Sequence, residues 1–504
     1  MASNRDTPDT PIATWQLPTQ GVQQQIAAHQ LPLDAFYDAL NVCLRSGKVV
    51  TRPCMLVFTA GALTDRVTGA TVYIKADGSR IPVAGTRTDI LQYPVGGPAW
   101  ATFKGAVTIS GAETDLWSFT QMTFGTPAVN YLVGANGKDP LIQWPGTGNA
   151  SASAGSPPVF KDICTSFARV VGSVGANEIR WGEVNSLSTW PDINSRFLSD
   201  TPDAIVGVRN FGTLGLVVYK ERSIWMGSAQ GGPSSSAFRF ELKGWLDGPA
   251  GRRAVVDANG VHFYMTVSGR IAMFDGSTHT WVADGIWPVI KADIANASVS
   301  RIVGAYDERE NVVVFWYPRT ADAAGEMSGM VVLNLPFPSA GIPTYAAFPG
   351  RTVRPVSAAM ALRLADNLDK IMVFNSTGGT VNRSHTLDWG TRLDDGAAIT
   401  AFWQTGIVPG PDMDLYAATC EPFFIRGAGL GSVTLNLVTS NVLDAAGGTV
   451  GTDDLSVDLT QVPVKEYRGF PTNARFFGLK INYTPGATTH PQWLGANLWS
   501  RRAR

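Results

Sequence analysis

Five histidines, His29, His262, His279, His385 and His490, are the first residues to test for chemistry in this chain of 504 residues. None falls in an HExxH or other short pair that would aim two imidazoles at one metal, so each reads as structural. The four cysteines, Cys43, Cys54, Cys164 and Cys420, lie far apart and form no CxxC pair. Zinc needs paired ligands at short spacing, and a disulfide framework needs a denser, smaller chain, so these read as buried thiols in a reducing compartment. Gly134-Ala135-Asn136-Gly137-Lys138-Asp139 has the glycines and lysine of a phosphate loop. Only two residues separate the glycines, however, and an aspartate follows the lysine, which predicts a hairpin turn. Gly427-Ala428-Gly429-Leu430-Gly431 is followed by no helix pattern and reads as a strand connection or bulge, not a dinucleotide fingerprint. No GxSxG elbow occurs. The expectation is a non-enzymatic protein with no catalytic, cofactor-binding or metal-ligating residues and no cofactor.

Asp275–Trp281 (DGSTHTW) resembles part of the Asp-box of sialidase propellers, through Asp275, Thr280 and Trp281. Ser277 replaces the glycine of that motif, Met273 replaces its upstream serine, and the box is in any case a structural turn. The fifteen tryptophans could stack on sugar rings, but Trp144, Trp181, Trp225 and Trp316 sit inside apolar strand runs, where packing is the expected role. The terminal run SRRAR (500–504) reads as a solvated tail able to touch phosphate or an acidic neighbour.

The elements that must carry these residues are short strands. Hydrophobic residues make up 44% of the chain and charged residues only 16%, so much of the surface is expected to be covered by partners or copies of itself. Glycine at 53 and proline at 31 positions punctuate the chain at the rhythm of many turns. The net charge of −1, with 40 basic and 41 acidic residues dispersed, excludes a dedicated nucleic-acid binder but not contact with DNA passing through a near-neutral channel. No apolar run reaches the length of a membrane span, and the polar N-terminus has no signal-peptide pattern, so synthesis and residence in a cytoplasm are expected. One helical signal stands out, residues 31–45, where Leu33, Phe36, Tyr37 and Leu40 recur at helix-like spacing.

Candidate tight turns followed by apolar strands occur at Asp77-Gly78, Asn136-Gly137, Ala176-Asn177, Glu221-Arg222, Ser268-Gly269, Arg309-Glu310 and Leu368-Asp369. Their spacing, about 40 to 59 residues, is close to that of a four-stranded propeller blade. The reading is a mainly β chain with a β-propeller of six to eight blades; unrelated β-sandwiches are the alternative. Beyond 388–398 the rhythm changes to alternation, as in Ser432–Val438 and Phe476–Tyr483, predicting an additional antiparallel β domain. The expected division is an N-terminal arm over 1–30, a propeller over 31–389 with a short helical entry, and a C-terminal domain over 390–504. Residues 145–158, rich in small residues, are expected to form a flexible loop.

Several stretches together resemble the nozzle (tail tubular B-like) proteins of short-tailed bacteriophages and the related propeller hub proteins. Within Leu31–Pro53, Asn41, Gly47, Arg52 and Pro53 carry the match, as an asparagine-containing turn leading to a "G…RP" strand. Ile179–Pro191, Asp203–Gly227 and Gly260–Gly276 resemble blade segments of that family, and Arg475–Ser500 its closing platform-type strands. Gly182 stands where a serine is common, and residues 51–120 match poorly. The resemblance implies a structural virion protein: a homohexameric tube below a tail adaptor, with contacts to tail fibres or tailspikes. Its lumen would retain double-stranded DNA and then pass it during ejection, after assembly in the host bacterial cytoplasm. A receptor- or glycan-binding propeller acting through exposed aromatics is the competing function.

Overall fold

The structure, a computed structural model, describes residues 11–59, 61–94, 96–230, 233–245, 247–323, 325–338, 342, 344–363, 369–375, 382–389, 393–409, 416–425, 432–440, 449–450, 455–458, 468–484 and 492–502. Seven four-stranded antiparallel sheets follow one another along the chain. Their first strands are Val67–Ile74, Ser118–Phe124, Asp162–Ser166, Ile205–Asn210, Val255–Ala258, Val303–Asp307 and Val356–Arg363. These are the innermost strands of the blades of a seven-bladed propeller.

Packing between blades explains why the sequence adopts this form. A middle strand such as Val312–Tyr317 is buried at all six positions, because each of its faces lies against a neighbouring blade. Each seam between blades holds its own apolar cluster. Tyr73, Val83, Trp117 and Trp144 fill the first seam, and Leu63, Val67, Met360 and Phe374 join the seventh blade to the first. Outer strands face water on one side and alternate accordingly, as in Phe238–Trp245. The aromatic run residues Trp144, Trp181, Trp225 and Trp316 are all buried core.

The ring closes with a strand from its beginning. Cys54–Val57 pairs with Ser384–Asp388 as the fourth strand of the seventh blade, so residues preceding the first blade complete the last. Chain segments far apart in sequence are thereby tied across the one seam that backbone continuity leaves open.

Both chain ends then build a second unit, a pair of packed sheets. One sheet contains Val42–Arg45, Lys48–Thr51, Gln492–Arg502, Tyr416–Ile425 and Arg468–Ala474, with Ala13–Trp15 also pairing to Gln492–Arg502. The other contains Phe36–Leu40, Ala401–Thr405, Phe476–Thr484 and Ser432–Ser440, with short strands beyond. The alternation read in the C-terminal sequence is the inward face of this sheet: Val433, Leu435 and Leu437 lie opposite Tyr483, Ile481 and Leu479. Phe36 sits where the units meet, its ring 5.5 Å from Trp493, 6.4 Å from Trp403 and 6.4 Å from Phe348 of the sixth blade.

Three expectations differ from this arrangement. Residues 31–45 form no helix: Phe36–Leu40 and Val42–Arg45 are strands. Their apolar residues meet core on two sides, which imitates helical spacing. The boundaries 1–30, 31–389 and 390–504 also shift, because residues 13–51 belong to the sandwich with the C-terminal strands and Trp15, in the expected arm, is 2% exposed. Residues 145–158 are not a free loop, since Ser151–Ala152 is the outer strand of the second blade, flanked by buried Ala150 and Ser153. The expected turns are hairpins, but Asp77-Gly78 and Arg309-Glu310 join first and second strands whereas Asn136-Gly137 and Ser268-Gly269 join second and third. Their spacing is uneven for that reason. Leu368 lies outside the described residues.

Candidate functional site

The inner strands enclose two cavities along the propeller axis, of about 560 Å³ and about 360 Å³. The larger is lined by inner-strand residues such as Thr71, Ser118, Thr120 and Asp162 together with Arg209, Arg252 and Arg253. Arg252–Ala254 is a single 3-10 turn just ahead of the fifth blade. Gly251 before it approaches the chain so closely that a Cβ would lie 2.2 Å from the Ser300 carbonyl oxygen, which only glycine permits.

From this turn Arg253 reaches across the axis. Its Nη1 donates to the carbonyls of Thr68 in the first blade (3.0 Å) and Ser357 in the seventh (2.8 Å), and its Nη2 to that of Arg301 ahead of the sixth (3.0 Å). Arg252 donates to the Leu116 carbonyl ahead of the second blade. Arg209 of the fourth blade donates to Asp162 Oδ2 of the third at 2.6 Å and to the Arg252 carbonyl. Nearby, Arg66 and Arg301 share Glu113 at 3.1 and 3.3 Å. Burial, and then repulsion from Arg252, Arg66 and Arg301, push the Arg253 guanidinium down to about 9. Burial lowers Arg252 to about 10 against the pull of Asp162.

A second polar network joins the propeller to the sandwich, and it contains two of the residues that carried the family resemblance. Arg52, 1% exposed, donates Nε to Asn41 Oδ1 at 3.0 Å and forms a two-pronged pair with Asp394. Asp394 also accepts from the backbone N–H groups of Met55 (2.8 Å) and Val353 (3.1 Å). Burial alone would raise the Asp394 carboxyl, but Arg52 and these hydrogen bonds hold it below the usual carboxylate range. Asn41 adopts φ 59° and binds the Arg351 N–H and the Thr400 carbonyl, so it touches both units. Gly47 lies at the adjoining hairpin with φ 68°. Asp203, Lys220 and Ser223, within another resembling stretch, form a buried network between the third and fourth blades, in which Lys220 Nζ donates to Leu198 O and Thr201 O at 2.8 Å.

The other residues tested for chemistry are dispersed. His262 accepts the Tyr219 hydroxyl at Nδ1 (2.8 Å), and burial pushes its imidazole down to about 3. His385 is buried 3.8 Å from Asp395, while His29 and His279 lie elsewhere and His490 falls outside the described residues. Cys43, Cys54 and Cys164 are buried thiols, and burial raises Cys43 and Cys164 well above the ordinary range, which suppresses nucleophilic character. The side chain of Cys420 is outside the described residues, as are 427–431 and the side chains of the terminal run. In the phosphate-loop look-alike, Asn136 Oδ1 takes the N–H groups of Lys138 and Asp139, leaving a closed hairpin. The Asp275 carboxylate binds the N–H and hydroxyl groups of Ser277 and Thr278, a turn by its geometry. Among the described residues no group of three or more His, Cys, Asp or Glu side chains converges on a metal-sized site. No described helix is long and apolar enough to cross a membrane.

The axial arginines were not singled out by sequence reasoning. Their one signal is a Gly-Arg-Arg step directly before an apolar strand, Val255–Ala258, where a loop would ordinarily end in small or uncharged residues.

No family model and no curated protein matches the chain. Among solved structures it is similar to BBS1N in complex with ARL6DN, with TM-score 0.44 and 9% identity over 67% of this chain and 98% of that one. It is also similar to Raptor of Chaetomium thermophilum, with TM-score 0.41 and 8% identity over 67% of this chain and 29% of that one. BamB from Moraxella catarrhalis gives TM-score 0.36 and 9% identity over 75% of this chain and 99% of that one.

Proposed function

We propose that this chain is a non-enzymatic structural protein that assembles with copies of itself into a ring, as the nozzle or hub of a bacteriophage tail. The observation that carries the reading is a pair of exposed aromatics on the outer strands of the third and fourth blades. Phe197 is 60% and Trp245 58% exposed. The two occupy equivalent places on neighbouring blades, Phe197 paired with Glu178 beside one hairpin and Trp245 with Ser223 beside the next. They therefore share one face of the rim. Isolated exposed apolar residues need no explanation, but large aromatics in matched positions favour a partner.

The sandwich packs against the sixth and seventh blades, three blades of the seven away from this rim and so nearly across the propeller. A rim on one side and a second unit on the other suit a heterologous contact, in which one copy's rim meets the next copy's sandwich and the series closes on itself. Arg253 obstructs the propeller's own axis, so a conduit for double-stranded DNA would run between copies rather than through one. The low charge of the chain and its net charge of −1 fit a surface that is largely covered and a lumen that lets DNA slide. A tail adaptor and tail fibres or tailspikes would be the neighbours in the virion.

Class-averaged electron images of the purified protein, alone and with virion tails, test this. Six-fold rings with a central channel are expected, and the double variant Phe197→Asp with Trp245→Asp should fall to a monomer with unchanged circular dichroism. A wild-type chain that stays monomeric in both settings overturns the reading. If that monomer binds glycans and loses them on Trp245→Ala, a receptor-binding propeller takes its place.

A further inference from the structure

We infer that the larger axial cavity is a binding site for a small oxyanion of the phosphate class, gripped by Arg252 and Arg253. Three guanidinium groups line this cavity, Arg209, Arg252 and Arg253, and Asp162 is the one carboxylate among its lining residues. That carboxylate takes Arg209 and the Val208 N–H (2.8 Å) on Oδ2, while its Oδ1 is buried without a partner among the described residues. Arg253 pairs with no carboxylate among the described residues; its three acceptors are all backbone carbonyls. Its Nε is buried and has no acceptor among the described residues. Arg252 directs one N–H to the Leu116 carbonyl and has no other partner among the described residues. Arg252 thus retains free N–H donors beside a cavity of about 560 Å³, with the Arg253 guanidinium next to it in the lining.

Native proteins rarely leave a buried donor unmatched, and an unpaired buried charge is disfavoured more strongly still. A planar guanidinium presents its donors in the fork that matches two oxygens of a phosphate, sulfate or carboxylate. Phosphate suits this place best, because three guanidinium groups face one carboxylate in the cavity lining and phosphate has oxygens enough for both Arg252 and Arg253. Arg66 and Arg301, which share Glu113, lie at the same end of the axis, with Glu326 also acting on Arg66. The Thr120 and Thr165 hydroxyls, 2.8 Å apart on the neighbouring inner strands of the second and third blades, offer further donors if they turn from each other. The site is complete within one chain and does not depend on assembly.

Inorganic phosphate titrated into the intact protein, followed by calorimetry and by phosphorus NMR line broadening, tests the inference. Saturable binding of one phosphate per chain is expected, weakened about tenfold or more by Arg253→Met or by Arg252→Met, as the loss of one charge-assisted contact implies. Glycerol phosphate in the same titration separates a free ion from an ester. Tighter binding of the ester assigns the remaining cavity volume to a carrier group, and tighter binding of the free ion assigns the site to inorganic phosphate. Absence of saturable binding to the wild-type chain at about 10 mM, where general salt exclusion is still small, overturns the inference whatever the variants do. Binding left unchanged in both folded variants overturns it equally.

Discussion

At the scale of single residues, the polar groups of this protein act mainly as fasteners between elements remote in sequence. His262 shows how this becomes measurable. It is 1% exposed, accepts the Tyr219 hydroxyl from the neighbouring blade, and is kept neutral by burial, with Arg209 adding to the effect. Its folded pKa of about 3 lies below the unfolded value of about 6.5, so between these limits the unfolded chain binds the extra proton. The stabilisation is complete above pH 6.5 and is lost as pH falls toward 3. Denaturant melts at several pH values should show His262→Gln removing about 1.4 kcal/mol per pH unit from the slope near pH 5; an unchanged slope would mean that the imidazole is not held neutral. Some of this scale was legible beforehand. Asn41 and Arg52 stood out in the sequence and meet in the structure. Arg252 and Arg253 did not, because a pair of arginines reads as surface until the fold carries it to an axis.

At the scale of elements, the blade was legible and its phase was not. Apolar runs such as NVVVFWY (311–317) mark strands buried on both faces, and these were plain in the sequence. Which hairpin of a blade bears the tight turn varies, since any of the three connections can take Gly or Asn, so turn positions alone misplace the blade edges. The closing strand Cys54–Val57 was hidden for a different reason: its partner Ser384–Asp388 lies more than 300 residues away, and no local periodicity encodes that pairing. Cys54 makes this strand observable. It is 0% exposed, so a chain in which Cys54 is the one cysteine should react with a thiol reagent only as fast as the seventh blade opens. Met55→Asp, which places a charge at a fully buried site in the same strand, should raise that labelling rate at least tenfold. Equal rates in the two proteins would show that the strand is not a true part of the blade.

For the molecule as a whole, the sandwich and propeller share one apolar cluster that runs from Trp15 and Trp493 through Phe348 to Trp316. Arg52 and Asp394 add a buried ion pair at the same junction, with side chains 1% and 0% exposed. Removing one partner of such a pair leaves the other charge buried, a loss of about 3–5 kcal/mol. Calorimetric unfolding of the intact chain should give one transition, and Arg52→Met should split it into two by releasing the sandwich from the ring. A single transition at an unchanged temperature would show that the pair does not couple the units. The sequence division near residue 390 missed this union, because a domain assembled from both termini has no boundary that composition can mark.

The strand that completes the ring precedes the first blade and finds its partner at Ser384–Asp388, whereas the sandwich waits for Gln492–Arg502, so during synthesis the ring can close before the sandwich does. A product that ends between residues 389 and 491 can therefore close the ring but not the sandwich, and it leaves sandwich strand edges unpaired and open to proteases.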